Sequence, residues 1–427
     1  MNYHFSHISK IDGELSLPGD KSISHRALIF SALADGESSI TNLADSEDVK
    51  NTIACLKALN IMIERDNERC IVHGKGKKGF SKPDKPLDCG NSGTTARLLS
   101  GVLAVQGFPS EITGDESLLQ RPMKRVIDPL EKMGCTIKSN KGCLPLHFSS
   151  SGKLTAIDYN LPVASAQVKG AILLAGLHCN EITSVREQNS FSRDHTERML
   201  GLNVEIIGNN RVTSVSNSNF PKAKEYLVPG DISTASFFIA LTLLTKNSYL
   251  VLKNISLNET RKTFLNILIE MGGDIKIESG GESNNESYGD IIVKSSKLKN
   301  IEIIPNIIPE IIDEIPILSI ISVFAEGRFK IIGAKELRYK ESDRINSITT
   351  NLKRAGLNIK IFEDGFSIEG KLMNDITTFE SFGDHRIAMA FSVLSCLMKK
   401  GAVVNNFDCV KVSNPRFLEQ LEKIKAQ

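Results

Sequence analysis

Six times along the chain a short polar segment opens onto a block that is hydrophobic nearly all round, followed by a small-residue break and a strand-like run. The blocks begin after Pro18-Gly19-Asp20, at Gly90 (GNSGTTARLLSGVLA), at Ala164 (ASAQVKGAILLAGL), after Pro229-Gly230-Asp231, at Asp313 (DEIPILSIISVFAEG) and at Gly383 (GDHRIAMAFSVL). Their length predicts helices, and the absence of a polar face predicts that these helices are buried. Between them lie second helices that turn into strands: TIACLKALNIMIE, VIDPLEKMGCTIK, TERMLGLNVEI, FLNILIEMGGDIKI and ITTNLKRAGLNIKI. Several stop at a glycine after the last apolar turn. The last helix, FLEQLEKI, has no strand after it. A strand near Ile8–Leu17 is therefore expected to complete the final unit, which brings both chain ends into one domain.

The second Pro-Gly-Asp falls about half the chain after the first. Six units in two sets of three predict two similar α/β domains. The expected boundaries are 1–14 plus 230–427 for one domain and 15–229 for the other, with hinge crossovers near Leu15 and Pro229.

Composition narrows the function. A chain of 427 residues with 41% hydrophobic residues is long enough for two cores. A net charge of +2 argues against a general nucleic-acid binder. The basic run Lys75–Lys85 sits among Gly and Pro and reads as a solvated loop. The eight cysteines form no C-x-x-C pair and, with His, no metal-ligand spacing, which fits free thiols in a reducing cytoplasm. The first residues carry no signal-peptide pattern. The isoleucine-rich run 301–324 contains Pro305, Glu310, Asp313 and Pro316, so it is not a membrane span.

The chemistry gathers at the starts of the buried helices. In Pro18-Gly19-Asp20-Lys21-Ser22-Ile23-Ser24-His25-Arg26, Asp20 is a good N-cap, and a helix start with free N–H groups is an anion site. Lys21 adds an ammonium, and Arg26 adds a planar fork four residues from Ser22. This describes a phosphate cradle, although a capped surface helix has the same pattern. Asn91-Ser92-Gly93-Thr94, Ser165-Ala166-Gln167, Asp313 and Asp384-His385-Arg386 stand at four further starts. Each alone reads as a cap. Repeated on parallel inner helices, they would aim several positive ends at one cleft. Arg121, Arg193, Lys340 and Arg344 add charge, with Lys340 and Arg344 spaced i, i+4. With Lys21, Arg26 and Arg386 they suit two polyanionic small molecules held side by side.

At this point the chain resembles the 5-enolpyruvylshikimate-3-phosphate synthases. The resemblance is carried by LPGDKSISHRAL, LDCGNSGTTARLL, LLQRPM, VASAQVKGAILLAGL, SRDHTERML, ELRYKESDRI and GDHRIAMAF, in that order along the whole chain. It implies a two-domain inside-out α/β fold with three βαβαββ units per domain. It also implies transfer of the enolpyruvyl group of phosphoenolpyruvate to the 5-hydroxyl of shikimate 3-phosphate, with release of phosphate. The setting would be the shikimate pathway to chorismate and the aromatic amino acids, with glyphosate as the family's inhibitor. By motif, Lys21, Ser22, Arg26, Ser165, Ala166, Gln167, Arg193, Asp313 and Lys340 would hold shikimate 3-phosphate. Lys21, Asn91, Gly93, Arg121, Gln167, Arg344 and Arg386 would hold phosphoenolpyruvate. Lys21, Asp313 and Glu341 would handle protons. The resemblance implies no metal, no cofactor, no nucleic acid and no membrane, and a cytoplasmic monomer.

Some positions depart from the best-studied branch. Ala166 stands for a second serine, Glu336 for an asparagine, and His195 for a substrate-contacting tyrosine. Lys411 is one place out of register with that branch's lysine and is left out of the site. The nearest rival is the UDP-N-acetylglucosamine enolpyruvyl transferase. That family has a catalytic cysteine before the arginine matching Arg121. Here the loop is GDESLLQRP, with Glu116 about where the cysteine would be.

Overall fold

The computed structural model describes residues 1–66, 69–77, 79–150, 153–370, 372 and 378–426. The six apolar blocks form helices: Lys21–Leu33, Gly93–Leu103, Ala166–Gly176, Ile232–Leu244, Ile315–Phe324 and His385–Leu397. Each is started by local chemistry. The Asp20 side chain accepts from the N–H of Ile23, Ser92 from Thr95, Ser165 from Val168, Asp231 from Thr234 and Asp384 from Arg386. Pro316 supplies the rigid first turn of the fifth. In the first helix every residue from Ile23 to Leu33 is buried, as an all-round apolar surface requires.

The chain divides into two compact units. One comprises Met1–Pro18, Pro229–Gly281 and Ser287–Gln427, and the other Gly19–Val228 with Glu282–Glu286. Each has its own hydrophobic core of buried residues.

In the Gly19–Val228 unit three four-stranded sheets repeat one plan. Glu225–Leu227 lies parallel to Asp35–Thr41, which pairs antiparallel with Arg69–Lys75 and through it with Met62–Arg65. Leu87–Asp88, Ser110–Thr113, Cys143–Phe148 and Ile137–Asn140 follow the same order. So do Asp158–Asn160, Thr183–Gln188, Asn210–Val215 and Asn203–Ile207. A parallel pair needs a helical crossover, and in the second and third sheets it is a buried helix, Gly93–Leu103 and Ala166–Gly176 respectively. The result is the βαβαββ unit. The second helices stop where Asn60, Gly134 and Gly201 take left-handed φ values of 68°, 99° and 62°. The inner helices Gly93–Leu103 and Ala166–Gly176 approach closely at Gly101, where a Cβ would lie 2.2 Å from the carbonyl oxygen of Ala171.

The other unit has one four-stranded and two three-stranded sheets. Asp12–Ser16 runs parallel to Tyr249–Ser256, with Leu15 opposite Leu252. Phe329–Ile331, Gly365–Glu369 and Asn358–Phe362 form the second sheet. In the third, Thr378–Glu380 is parallel to Ala402–Asn405, and Tyr3–Phe5 pairs antiparallel with the latter.

Two expectations need correction. The strand that completes the final unit is Tyr3–Phe5, not the stretch near Ile8–Leu17, whose strand Asp12–Ser16 belongs to the sheet of Tyr249–Ser256. For the same reason the first crossover falls at Pro18/Gly19 rather than near Leu15, because the ladder to Tyr249–Ser256 holds the chain through Ser16. Gly19 is needed there, since a Cβ would lie 2.0 Å from the carbonyl oxygen of Asn42. The return is at Val228/Pro229, and Glu282–Glu286 adds a short excursion that was not expected. Run 301–324 is broken into Pro305–Ile307, Ile308–Ile311 and Ile315–Phe324. Among the described residues no helix is long and apolar enough to cross a membrane.

Candidate active site

Each unit carries its own polar cluster at the starts of its inner helices. In the Gly19–Val228 unit, Lys21 opens the first helix and its Nζ lies 2.7 Å from Asp48 Oδ2. One turn on, Arg26 is buried; its Nε donates to Thr196 Oγ1 at 2.8 Å and its Nη1 to the carbonyl of Ser22 at 3.0 Å. Burial pulls the Arg26 guanidinium down to about 10, against the pull of Glu197, Asp20 and Glu286, and Arg193 lowers it further. It remains charged at neutral pH, and Arg193 is close enough to be felt. Gly170 leaves room for Leu98 and for the Thr196 hydroxyl that Arg26 donates to: a Cβ there would stand 2.8 Å from Leu98 Cδ2 and 3.2 Å from Thr196 Oγ1.

The second helix start is a bed for two guanidiniums. A Cβ on Gly93 would lie 2.6 Å from Arg97 Nη1 and 3.2 Å from Arg121 Nη1. Arg121 Nη2 donates to Asn91 Oδ1 at 2.8 Å, and Asn91 Nδ2 donates to Asp115 Oδ2 at 2.7 Å. Arg97 Nη1 donates to Gln167 Oε1 at 2.8 Å, and Gln167 Nε2 donates to Thr94 Oγ1 at 2.8 Å. These bonds tie the second helix start to the third, where Ser165 is the cap and Ala166 the first helical residue. Between the first two helices runs a buried chain of hydroxyls. His25 Nδ1 meets Thr52 Oγ1 at 2.7 Å, Thr52 meets Thr95 at 2.7 Å, and Thr95 donates to Ser92 at 2.7 Å. Burial first, then Lys21 and Arg26, pushes the His25 imidazole well below its usual value, so it is neutral.

In the other unit the cluster centres on Asp313, which is buried two residues before its helix. Arg344 Nη1 donates to Asp313 Oδ1 at 3.1 Å, Lys340 Nζ is 3.6 Å from the same oxygen, and Arg386 Nε is 3.8 Å away. Arg386 Nη1 also donates to the Asp313 carbonyl at 3.1 Å. Arg344 is fully buried. Its Nη2 donates to Glu341 Oε2 at 2.6 Å and its Nε to Asp384 Oδ2 at 2.8 Å. Burial opposes its charge, but Asp384, Glu341 and Asp313 outweigh that and hold it above its ordinary value. Burial likewise opposes the Asp384 anion, yet Arg344 keeps that carboxyl below the usual range. Three cations thus converge on a single carboxylate oxygen of Asp313.

The described structure thus brings Lys21, Ser22, Arg26, Asn91, Gly93, Arg121, Ser165, Ala166, Gln167 and Arg193 together in one unit. Asp313, Lys340, Glu341, Arg344 and Arg386 gather in the other. His195, expected where relatives have a tyrosine at the substrate, is fully buried with Nδ1 2.7 Å from Glu286 Oε1. Lys411 is exposed and 3.4 Å from Asp408. Asp48 and Arg97 were missed. Asp48 follows the cap Ser46 and reads as an ordinary first-turn acid. Arg97 had a signal: it lies within LDCGNSGTTARLL, one helical turn beyond Gly93.

Known proteins resemble this chain in both fold and sequence. The enolpyruvyl transferase NikO from Streptomyces tendae superposes with a TM-score of 0.77 over 100% of this chain and 97% of its own, at 14% identity. The fold is therefore that of the enolpyruvyl transferases. A solved EPSP synthase from Acinetobacter baumannii matches with a TM-score of 0.85 at 38% identity, covering 99% of this chain and 98% of that one. The 3-phosphoshikimate 1-carboxyvinyltransferase of Petrotoga mobilis is 48% identical over 97% of this chain and 98% of its own length. The family profile "EPSP synthase (3-phosphoshikimate 1-carboxyvinyltransferase)" matches residues 5–421. The chain belongs to the EPSP synthase family.

Proposed function

We propose that the protein transfers the enolpyruvyl group of phosphoenolpyruvate to the 5-hydroxyl of shikimate 3-phosphate and releases phosphate. The observation that carries the reading is the convergence of Lys340, Arg344 and Arg386 on Asp313, in a chain that matches the family along its length. The substrates are polyanions, and the two clusters are cationic with buried, fixed carboxylates.

The 5-hydroxyl oxygen attacks C2 of phosphoenolpyruvate and its proton passes to Asp313. C3 gains a proton from Glu341 or Lys21, giving a tetrahedral ketal. Phosphate then leaves with the C2–O electron pair, and the methyl returns a proton to the group that supplied it. Positioned acid and base groups contribute typically about 10²–10⁴-fold in rate. Arg121, Arg344 and Arg386 stabilise the charge of the departing phosphate. Arg26, Arg193, Ser22, Ser165 and Gln167 hold the acceptor, with Ala166 beside them. Neither unit alone carries all these residues. The enzyme works as a cytoplasmic monomer, which its eight free thiols suit.

Phosphate release from phosphoenolpyruvate tests the reading. It should require shikimate 3-phosphate and should not occur with UDP-N-acetylglucosamine. Turnover with the nucleotide sugar alone would overturn it.

A further inference from the structure

Beside Asp313 lies a second buried ion pair that the proposed reaction does not use. Arg261 and Glu314 are each 2% exposed. Arg261 grips both oxygens of Glu314, with Nη2 donating to Oε1 at 3.0 Å and Nη1 to Oε2 at 3.4 Å. Ser233, in the first turn of the helix Ile232–Leu244, bridges the two: its hydroxyl donates to Glu314 Oε1 and accepts from Arg261 Nη2. Arg386 stands at the edge of this pair, its Nη1 4.0 Å from Glu314 Oε1 while it donates to the Asp313 carbonyl at 3.1 Å.

A buried carboxylate must be paired, and an unpaired one captures the nearest cation. Among the described residues Arg386 is a second cation within reach, at 4.0 Å from Glu314 Oε1. With both Glu314 oxygens occupied by Arg261, and Oε1 also by Ser233, Arg386 keeps its place against Asp313. We propose that Arg261 is a positioning residue for phosphoenolpyruvate: it neutralises Glu314 so that Arg386 stays directed at the anionic donor. The proposal rests on the assignment of Arg386 to phosphoenolpyruvate given above.

The test is a double-mutant cycle in the full-length enzyme, after the wild type is shown to release phosphate with both substrates. A silent wild type would count against the reaction assignment, not against this pair. Arg261→Met should raise the KM for phosphoenolpyruvate about tenfold or more, the scale of one lost charge-assisted hydrogen bond. The KM for shikimate 3-phosphate should change less than about threefold. Glu314→Gln alone removes the competing anion and should leave the KM for phosphoenolpyruvate within about twofold. The pair Arg261→Met with Glu314→Gln should recover most of what Arg261→Met loses, and Arg261→Lys should recover part. A structural role predicts otherwise: the double variant would be at least as impaired as either single variant, and both KM values would move together. That result overturns the proposal. Should Arg261→Met fail to fold, Glu314→Gln and the double variant still decide. A tenfold rise for phosphoenolpyruvate in either would overturn it, and near-normal values in both would support it.

Discussion

Lys21 Nζ is held 2.7 Å from Asp48 Oδ2, and both side chains are largely buried. The other Asp48 oxygen is buried with no partner among the described residues. The lysine at the first helix start is thus fixed by a carboxylate from the next helix, Glu47–Ala58.

Asp48→Asn keeps the shape but removes the charge that orients Lys21. We expect kcat/KM to fall about tenfold, the worth of one charge-assisted bond, with little change in thermal stability. Steady-state kinetics beside a melting curve would check this, and an unchanged kcat/KM would release Asp48 from that role.

Asp313→Ala and Glu341→Gln should lower kcat by about 10²–10⁴-fold. Binding of shikimate 3-phosphate, measured by calorimetry, should weaken far less. A Glu341→Gln enzyme with near-normal kcat would remove Glu341 from the proton transfers.

Gly93→Ala tests the bed under Arg97 and Arg121. The new Cβ would press on two guanidinium ends, which can swing away, so the fold should survive. The space above the helix start should shrink. Glyphosate, the larger occupant, should weaken much more than phosphoenolpyruvate. Equal loss of both in inhibition assays would refute a size gate.

His25 makes stability depend on pH. Its folded value lies well below the unfolded one near 6.5, so below about pH 6.5 only the unfolded chain binds this proton. Stability should therefore fall as pH drops from about 6.5, by about 1.4 kcal/mol per pH unit for this group. Half-buried His178, pushed down to about 4 by burial and then Lys77, adds the same sign. Urea unfolding of wild type and His25→Asn between pH 7 and about pH 5 should show a shallower slope in the variant. Equal slopes would mean that His25 is not held neutral.

What the sequence determined was local. Caps such as Asp20, Ser92, Ser165 and Asp384, and apolar blocks without a polar face, act within a few residues, so the six buried helices and their repetition were legible, whereas the βαβαββ order came only from the family resemblance. So were the residues that match the family's motifs, because each motif is a short contiguous stretch, some at those helix starts and others, such as those of Arg121, Arg193 and Lys340, in connecting segments. The tertiary structure decided the pairings. Asp48 on Lys21, Arg97 on Gln167, Arg261 on Glu314 and the three cations on Asp313 join residues 27, 70, 53 and 27 to 73 positions apart, using the Lys340–Asp313 and Arg386–Asp313 separations for the last. Nothing in the local pattern of an acid or an arginine says which distant partner the packing will supply. The same is true of Tyr3–Phe5, a three-residue strand whose place was set by Ala402–Asn405 at the far end of the chain. Ion pairing and strand pairing depend on distances that exist only once the core has formed, whereas helix starts depend on neighbours already joined by the backbone.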